Sequence, residues 1–471
     1  MTDPTHAPSL LPLNAFATWA PLLRGWADGA EPGGEDGVVH LAGAIGRDGW
    51  RASSAVRPRG RTSAAEREAV ERVRGALAAA GVESVTFSAR ITPSGQVRLR
   101  VMGPSPAVES GPAGGGTLLL AEGAVPEPWR RLPDPAPDAP PAPSADPVAL
   151  EQLLRERLPG AIGAGDEEIA AAEARLGVTL PDELKALYRV VPGRWDDWTG
   201  ADRQDEDTGA RDVADETVGC ELFALDDLYI ADAASRPAPW RFAACEAVVT
   251  PPDAAVQGLV GSPGWIVFGD NGGGDRLAVD LTPGPAGHVG QIVLLGHESY
   301  IGAGLIADSL TDLVHRQKPR RTRTSRSRDE RPAVAHVNVA HLRSIEAAAH
   351  PGLEVLCVGV WDEPPVDLAP VTGLPRLRTL TAYPGTLADP RQIGGLTGLE
   401  YLELGPEEWR ILLDAGAVPR GLAAAGITTH GVGVRDHGQP VDLSNEILAL
   451  YGRPPIVRTV IAGDLGPVPF A

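Results

Sequence analysis

Two short helical patterns joined by a glycine and a proline constrain the fold of this chain more than any other feature. The first pattern has apolar residues at helical spacing: Ile169, Ala172 and Leu176. Gly177 is suited to end that helix because glycine tolerates the left-handed backbone conformation. Pro181 is suited to begin the second helix, since proline is favoured at the first helical position. Residues 166–197 therefore predict a helix-turn-helix corner.

This corner resembles the SMI1/KNR4 (SUKH) family, in which a Glu, a Leu-Gly, a Leu-Pro and an apolar helix lead to Gly-x-Trp. Residues 265–281 are similar to the family's hairpin with a glycine-rich turn and a final Asp. Residues 290–297 fit its next strand, and residues 307–313 resemble its closing helix with a Ser-Leu start. The resemblance implies a mixed α+β domain over residues 148–316.

The length of 471 residues and the net charge of −20 predict about three domains in an acidic chain. No apolar run approaches the ~20 residues that span a bilayer, and the first residues lack a signal-peptide pattern. These features predict a soluble, cytoplasmic protein that binds neither nucleic acid nor membranes and attracts cationic proteins. Its three cysteines, Cys220, Cys245 and Cys357, lie far apart, which argues against a disulfide framework or a zinc site.

The N-terminal residues 13–131 predict a small α/β domain of the ββαββ type, of unknown family. Its helix should begin at Ser63, an N-cap residue with Glu66 three positions later, and end at Gly81. Residues 132–147 are rich in Pro, Ala and Asp and predict an extended linker. Two roles are open for that linker, a spacer, which we favour, and a docking peptide for an SH3-like partner.

The C-terminal part of the chain repeats one apolar template. It occurs at Val334-x-x-Val337-x-Val339 and again from Leu353, Leu377 and Leu399, at spacings of 19, 24 and 22 residues. These spacings are typical of leucine-rich repeats, so residues 333–430 predict a short, irregular solenoid with a helical cap within residues 407–426. Residues 431–471 predict an irregular tail with a short helix at 443–451. The fold class is therefore α/β (α+β).

A basic segment at residues 317–332 joins the second and third predicted domains. It could be an arm that binds nucleic acid or a membrane, or a solvated tether between acidic domains. We favour the tether because the acidic neighbours oppose binding to a polyanion.

The sequence offers little that points to catalysis. It contains no P-loop, no G-x-S-x-G and no H-E-x-x-H motif. His288 and His297 flank a strand on opposite faces by parity, which argues against a metal pair. The segment 269–275 could hold a cation, but a hairpin turn requires the same glycines and Asn, so we favour the turn. Five N-terminal arginines could form an anion site, but paired arginines and alternating exposure along a strand explain them more simply: Arg47, Arg51, Arg57, Arg59 and Arg61. We expect no enzyme activity, no cofactor and no bound metal.

Residues 195–216 carry nine acidic and two basic residues and are the candidate partner-binding segment. The segment is either a solvated loop or an electrostatic docking site in which an aromatic side chain is the buried anchor. The candidate partner-binding residues are Trp195, Asp196, Asp197, Trp198, Asp205, Glu206 and Asp207. Glu173 could also contact a partner, although capping or pairing within the fold is the role we favour.

The family resemblance implies a binding module and suggests two functions. Bacterial members of the family are similar to immunity proteins, so the chain could neutralise a cognate, cationic toxin domain by occluding its active site. Eukaryotic members are thought to coordinate cell-wall synthesis and signalling, so a non-catalytic regulatory or scaffold role is the alternative. Both predict protein partners and no chemistry by the chain itself.

Overall fold

The computed structural model describes residues 12–28, 37–46, 49–52, 63–103, 105–109, 116–135, 139–192, 207–316, 332–428 and 438–467. The chain forms two compact units. The first combines Met1–Ala124 with Ala335–Ala471, and the second is Val125–Val334. Helices and sheets occur in both units, so the mixed α+β class predicted from the sequence is correct.

The helices are α1 Phe16–Ala27, α2 Ala64–Ala80, α3 Glu127–Arg130, α4 Pro147–Arg157, α5 Asp166–Leu176, α6 Asp182–Tyr188, α7 Asp207–Val218, α8 Trp240–Ala243, α9 Leu310–Arg316, α10 Ile345–Ala348, α11 Pro406–Asp414 and α12 Gly438–Leu450. The strands are β1 Val39–Gly46, β2 Trp50–Ala52, β3 Ser84–Ile91, β4 Gln96–Met102, β5 Val108–Glu109, β6 Thr117–Leu119, β7 Glu221–Leu222, β8 Tyr229–Ile230, β9 Trp265–Asp270, β10 Arg276–Asp280, β11 Gln291–Leu295, β12 Gly304–Ala307, β13 Val334–Val337, β14 Val355–Val358, β15 Thr379–Ala382, β16 Tyr401–Leu404, β17 Ala424–Ile427 and β18 Arg458–Asp464.

One sheet of the first unit has the strand order β18-β4-β3-β1-β2 and packs against α1 and α2. The predicted cap of α2 is confirmed, because Ser63 Oγ accepts a hydrogen bond from the Glu66 N–H at 3.0 Å. The predicted end is also confirmed, since Gly81 has a φ of 67°. Trp19 and Trp26 of α1 pack against Phe87 of β3 with ring centroids 4.9 and 5.5 Å apart, which joins helix and sheet in one core.

The C-terminal end of the chain completes that sheet. Strand β18 pairs with β4 in antiparallel register from Arg458↔Met102 to Asp464↔Gln96. The prediction of an irregular tail was wrong for these residues. Of the residues in β18, only Ile461 is buried, as expected for a strand at the edge of a sheet. The segment therefore lacks the strong alternation of apolar and polar residues by which a strand is recognised in a sequence.

The other sheet of the first unit has the order β13-β14-β15-β16-β17-β6-β5. Strands β14 to β17 are parallel, and the template leucines align across them, Leu356 with Leu380 and Leu380 with Leu402. The connections also repeat: the Glu354 carbonyl accepts from residues 378 and 379, and the Arg378 carbonyl accepts from residues 400 and 401. The repeated segments therefore share one core, while their assignment to the leucine-rich-repeat class stays a prediction.

Two details of this sheet differ from the sequence interpretation. The predicted helical cap ends as a helix at Asp414, and residues 424–427 form strand β17 instead. Strands β6 and β5, which we placed in the N-terminal domain, extend this sheet through antiparallel pairing of β6 with β17. The pairing of β6 with β17 joins residues far apart in the chain and leaves no local signal.

The second unit contains a sheet of order β12-β11-β10-β9-β7, with β8 also paired to β9. Its central strands are buried on both faces. Ile266, Phe268 and Ile292 contribute to a core shared with α4, α5, α6, α7 and α9, whereas Trp265 and Val293 contribute to a smaller core on the opposite face. Within the described ranges, no helix combines the length and apolarity that a bilayer crossing needs.

Candidate protein-binding surface

Most of the predicted partner-binding residues lie outside the described residues. These are Trp195, Asp196, Asp197, Trp198, Asp205 and Glu206. Asp207 is the first residue of α7, and its side chain is also outside the described part of the chain. Their proposed role in binding stays a prediction.

Helix α7 follows directly and continues the acidic segment. One face of the helix is anchored, because Ala214 and Val218 are buried in the core shared by the helices. Asp215 Oδ1 accepts a hydrogen bond from the Leu222 N–H at 2.6 Å, and burial raises the pKa of this carboxyl group. On the outer face, Asp212 and Glu216 are exposed beside Val213, whose side chain is 47% exposed. The helix thus presents carboxylates around an exposed apolar residue.

Helix α5 presents a second group of carboxylates. Asp166, Glu167 and Glu168 are exposed in its first turn, where the positive end of the helix dipole favours negative charge. Glu168 Oε2 accepts a hydrogen bond from the Gly165 N–H at 2.7 Å, and Asp166 lies 3.7 Å from an Arg189 nitrogen. The helix dipole and these two contacts therefore stabilise the three neighbouring carboxylates.

Glu173 of α5 is engaged within the fold. Its Oε1 accepts a hydrogen bond from the Leu180 N–H at 2.8 Å and lies 2.8 Å from the Lys185 ammonium. The hydrogen bond from Lys185 lowers the pKa of the Glu173 carboxyl group, and the bond from Leu180 adds to the effect. The residue closes the corner between α5 and α6, which is the intramolecular role we favoured.

The charge of the chain is concentrated around these helices. Residues 163–316 contain 27 acidic and 10 basic residues, a net charge of −17 out of −20 for the whole chain. A domain with this excess produces a negative potential that extends to the Debye length of about 8 Å at physiological salt. The exposed carboxylates of α5 and α7 therefore lie in the most acidic part of the chain.

The glycine-rich hairpin between β9 and β10 satisfies its own polar groups. Asp270 Oδ1 accepts from the Gly272 N–H at 2.7 Å, and Asn271 Oδ1 accepts from the Gly273 N–H at 2.8 Å. Asp275 Oδ1 lies 2.7 Å from His297 Nδ1 and accepts the His297 backbone N–H at 3.0 Å, which lowers the pKa of Asp275. Gly272 and Gly274 have φ values of 76° and 95°, so the turn requires glycine there.

Asp280, at the end of β10, is the centre of a buried network that the sequence indicated only in part. We expected it to accept backbone hydrogen bonds, and it accepts one from the Thr282 N–H at 2.8 Å. Trp265 Nε1 also donates to Oδ1 at 3.0 Å, and Gln291 Nε2 donates to Oδ2 at 2.8 Å. Burial raises the pKa of this carboxyl group. The network is a structural support, because no part of Asp280 is exposed.

A cleft of about 310 Å³ opens beside the hairpin. Its lining includes Tyr229, Arg236, Arg276, Leu295, His297 and Tyr300. Arg236 donates to the carbonyl oxygens of Val260, Gly296 and Ser299, and burial lowers its pKa. Arg276 donates to Asp270. Both guanidinium groups thus have partners within the fold, and in the described ranges no cluster of three or more His, Cys, Asp or Glu is suited to a metal ion.

Comparison with known proteins identifies the domain around this surface. Residues 163–316 match the SMI1 / KNR4 family (SUKH-1), and this match covers about a third of the chain. The chain is similar to the "Glucan synthesis regulatory protein" of Neurospora crassa, with 40% identity over 78 residues, which is 17% of this chain and 15% of the relative.

Two further fungal relatives show the same limited overlap. The "Cell wall biosynthesis/cell cycle regulator smi1" of Schizosaccharomyces pombe is 39% identical over 67 residues, 14% of this chain and 13% of the relative. The "KNR4/SMI1 homolog" of Yarrowia lipolytica is 45% identical over 47 residues, 10% of this chain and 7% of the relative. The chain therefore contains an SMI1/KNR4 domain, and it aligns with only about a seventh or less of the length of these relatives.

Proposed function

We propose that this chain is a non-catalytic protein-binding protein whose acidic SMI1/KNR4 domain recognises a cationic partner protein. The concentration of charge carries the proposal: residues 163–316 hold −17 of the total of −20. The exposed carboxylates of α5 and α7 supply part of that charge on rigid elements of the fold.

Binding of this kind would proceed by electrostatic attraction followed by local packing. A negative surface raises the association rate with a positive partner, and the effect weakens as salt is added. Val213 offers an exposed apolar contact among the carboxylates. Trp195 or Trp198 would supply the buried aromatic anchor that dominates many interfaces.

A regulatory or scaffold role is the form of this function that the relatives favour. The relatives from Neurospora crassa and Schizosaccharomyces pombe bear names that refer to glucan synthesis and cell-wall biosynthesis. In this form the domain would bind a regulated protein without altering it. The repeat-containing sheet, which we propose to be a short leucine-rich-repeat solenoid, would add a second protein-binding surface.

Neutralisation of a toxin is the second form, and the acidic character of the domain supports it. An immunity protein works by covering a toxin's active site, and a strongly negative surface suits a cationic toxin domain. The two forms share one physical mechanism and differ in the identity of the partner. Expression of the adjacent open reading frames with and without this chain distinguishes them, because only a toxin would arrest growth and be rescued.

The mechanism is tested by the association rate of the full chain with a partner isolated by pull-down. The test variant combines Asp212→Asn with Glu216→Gln, and we expect it to slow association severalfold at low salt and little at high salt. The matched control combines Glu68→Gln with Glu71→Gln, which removes two exposed carboxylates from α2 of the other unit, away from the repeat-containing sheet. An equal rate for test variant and wild type at every ionic strength would refute the acidic-surface mechanism.

A further inference from the structure

Two described parts of the proline-rich segment that the sequence predicts to be a linker lie along the SMI1/KNR4 domain. We call these two parts, residues 129–135 and 139–146, the strap. At its start, Trp129 Nε1 donates to the Arg236 carbonyl oxygen at 2.8 Å, and its ring lies 6.1 Å from that of Tyr300, centroid to centroid. Farther along, Gln257 Oε1 accepts from the Asp134 N–H at 2.8 Å, and Gln257 Nε2 donates to the Asp134 carbonyl at 2.9 Å.

The second half of the strap is held in the same manner. The Val289 N–H donates to the Pro140 carbonyl at 3.2 Å, next to a parallel bridge between Pro141 and Val289. At the end of the strap, Thr311 Oγ1 accepts from the Asp146 N–H at 3.2 Å and donates to the Asp146 carbonyl at 3.1 Å. The strap thus contacts the loop before β11 and the first turn of α9 as well as the loop that carries Gln257.

Most of these hydrogen bonds are made by the backbone of the strap; the side chains of Trp129 and Ser144 add one each, the latter with Ser144 Oγ 3.0 Å from Ser309 Oγ. Among the described residues of the strap, only Ala142 is buried, and Leu132 is 77% exposed. The two hydrogen bonds at Asp134 resemble those between neighbouring strands, with the Gln257 side chain in place of a strand. Asp134 stands between Pro133 and Pro135, so its N–H is a donor that neither neighbour can supply.

Contacts within the SMI1/KNR4 domain fix the position of the Gln257 side chain that binds the strap in its groove. Gln257 is 3% exposed, and its Nε2 also lies 3.3 Å from the Thr282 carbonyl and 3.2 Å from the Pro283 carbonyl. Thr282 is fixed in turn by Asp280. The segment after β10 thus orients the buried Gln257 amide, and an amide held in this way loses little entropy when it binds one peptide unit.

We propose that this groove is a binding site for extended, proline-rich peptide segments, and that the strap is an internal ligand which another such segment displaces. The contacts of the groove define the partner that it would bind. This partner is an extended peptide in which one residue with a free backbone N–H lies between two prolines. The strap lies outside residues 163–316, so the family domain and its occupant are separate parts of the sequence. This proposal does not depend on the acidic surface.

The energetics of the strap suit exchange. Each hydrogen bond contributes only modestly to stability once the lost bonds to water are counted, and the strap buries little apolar surface in addition. A tethered segment has an effective concentration in the millimolar range, so it masks the groove without closing it permanently. The apparent affinity for a second peptide is then reduced by the fraction of time that the strap is bound.

The test measures binding of a fluorescein-labelled synthetic peptide, residues 128–146, to the full chain. In the variant that combines Trp129→Ala with Asp134→Pro, the strap loses its aromatic contact and the N–H that Gln257 accepts. We expect this variant to bind the peptide at least tenfold more tightly than the wild-type chain. Leu132→Ala is the matched control, since Leu132 is exposed, and it should bind as the wild type does.

Two further comparisons identify the groove as the site. A peptide with proline in place of Asp134 should lose at least tenfold in affinity, as should the opened variant after Gln257→Ala. Failure of the folded opened variant to bind, or equal binding of both peptides, would overturn the proposal. If the opened variant does not fold, hydrogen exchange in the wild-type chain tests the proposal instead. The Asp134 amide should exchange through local opening of the strap. If this amide exchanges only when the core strands β9 and β10 also open, the proposal is overturned.

Discussion

The Lys185 ammonium of α6 lies 2.8 Å from Glu173 Oε1 of α5, so an ion pair joins the two helices of the corner. The side chains are 21% and 24% exposed, and the same Glu173 oxygen accepts the N–H of Leu180 at the turn. The Glu173 carboxylate therefore stabilises the corner in two ways, through the ion pair with Lys185 and through the hydrogen bond from the Leu180 N–H. Its stability should depend on the ionisation of that carboxylate.

Replacing Glu173 with Gln should destabilise the second unit by about 1 kcal/mol at pH 7, the usual value of such a bond. The pKa of Glu173 is lowered by Lys185, so its contribution is present above the unfolded-state value of about 4.3 and is lost as the pH falls through the native value. Urea unfolding at several pH values measures this. Glu167→Gln, an exposed change on the same helix, should have little effect. A Glu173→Gln effect that is equally large at pH 7 and at the lowest pH where the chain stays folded would contradict the assignment.

Local signals account for what the sequence predicted well. Ser63 and Gly81 define the ends of α2 because a cap and a left-handed glycine are properties of a few neighbouring residues. The hairpin at residues 269–275 was recognised for the same reason, since its asparagine and glycines satisfy the turn themselves. The corner at Glu173 was also predicted, including the preference for an internal role.

Long-range contacts account for what the sequence did not show. Gln257 binds Asp134 across 123 residues, and neither residue has a neighbour that reveals the pairing. Strand β18 pairs with β4 although Gln96 and Asp464 are separated by 368 residues. Such pairings depend on the tertiary fold, which overrides the weak local preference of each segment for strand or loop.

Asp280 should be the most sensitive carboxylate of the SMI1/KNR4 domain. Replacement by alanine leaves the Trp265 indole N–H and the Gln291 amide without this acceptor in a buried site, so we expect a loss of about 3 kcal/mol or more. Asp280→Asn retains one oxygen but turns an amide donor toward Gln291, and it should cost less than Asp280→Ala. Thermal and urea unfolding of the full chain, followed by tryptophan fluorescence, measures both.

The pH dependence of Asp280→Asn has the opposite sign to that of Glu173. Burial raises the native pKa of Asp280, so the native state holds its proton to higher pH than the unfolded chain does. The carboxyl group therefore favours folding most below its unfolded value of about 3.9, and stability falls as the pH rises from there to the native value. The cost of Asp280→Asn should be greatest in acid. A cost that grows with pH would show that this sign is wrong.

Glu354 should be critical for the repeat-containing sheet. Its carboxylate side chain is 2% exposed and pairs with Arg378, which is 8% exposed, at 3.3 Å. Glu354→Ala removes this partner from a buried guanidinium, and we expect a loss of about 3–5 kcal/mol. Glu363→Ala is the control, because its pair with Arg343 is exposed on both sides and should contribute well under 1 kcal/mol. Similar losses for the two variants in urea unfolding would contradict the prediction.

His336 should titrate above the usual histidine range. A hydrogen bond with the Cys357 thiol is the main cause that raises the pKa of His336, and partial burial opposes it. We expect Cys357→Ala to lower the pKa of His336 toward the ordinary value of about 6.5. NMR titration of the imidazole C–H signals in wild type and variant measures the change. Cys245→Ala is the control, since Cys245 lies in the other unit.

The same pair predicts a pH-dependent term in stability. Because the native pKa of His336 is raised, its contribution is complete below the unfolded value of about 6.5 and is lost as the pH rises through the native value. Cys357→Ala should therefore destabilise the chain more at pH 5.5 than at pH 8.5, because the contribution of the raised pKa decreases as the pH rises. If Cys357→Ala destabilises the chain equally at both pH values, the effect of Cys357 is due to packing alone. If the variant leaves the pKa of His336 unchanged, the hydrogen bond with Cys357 is not what raises that pKa.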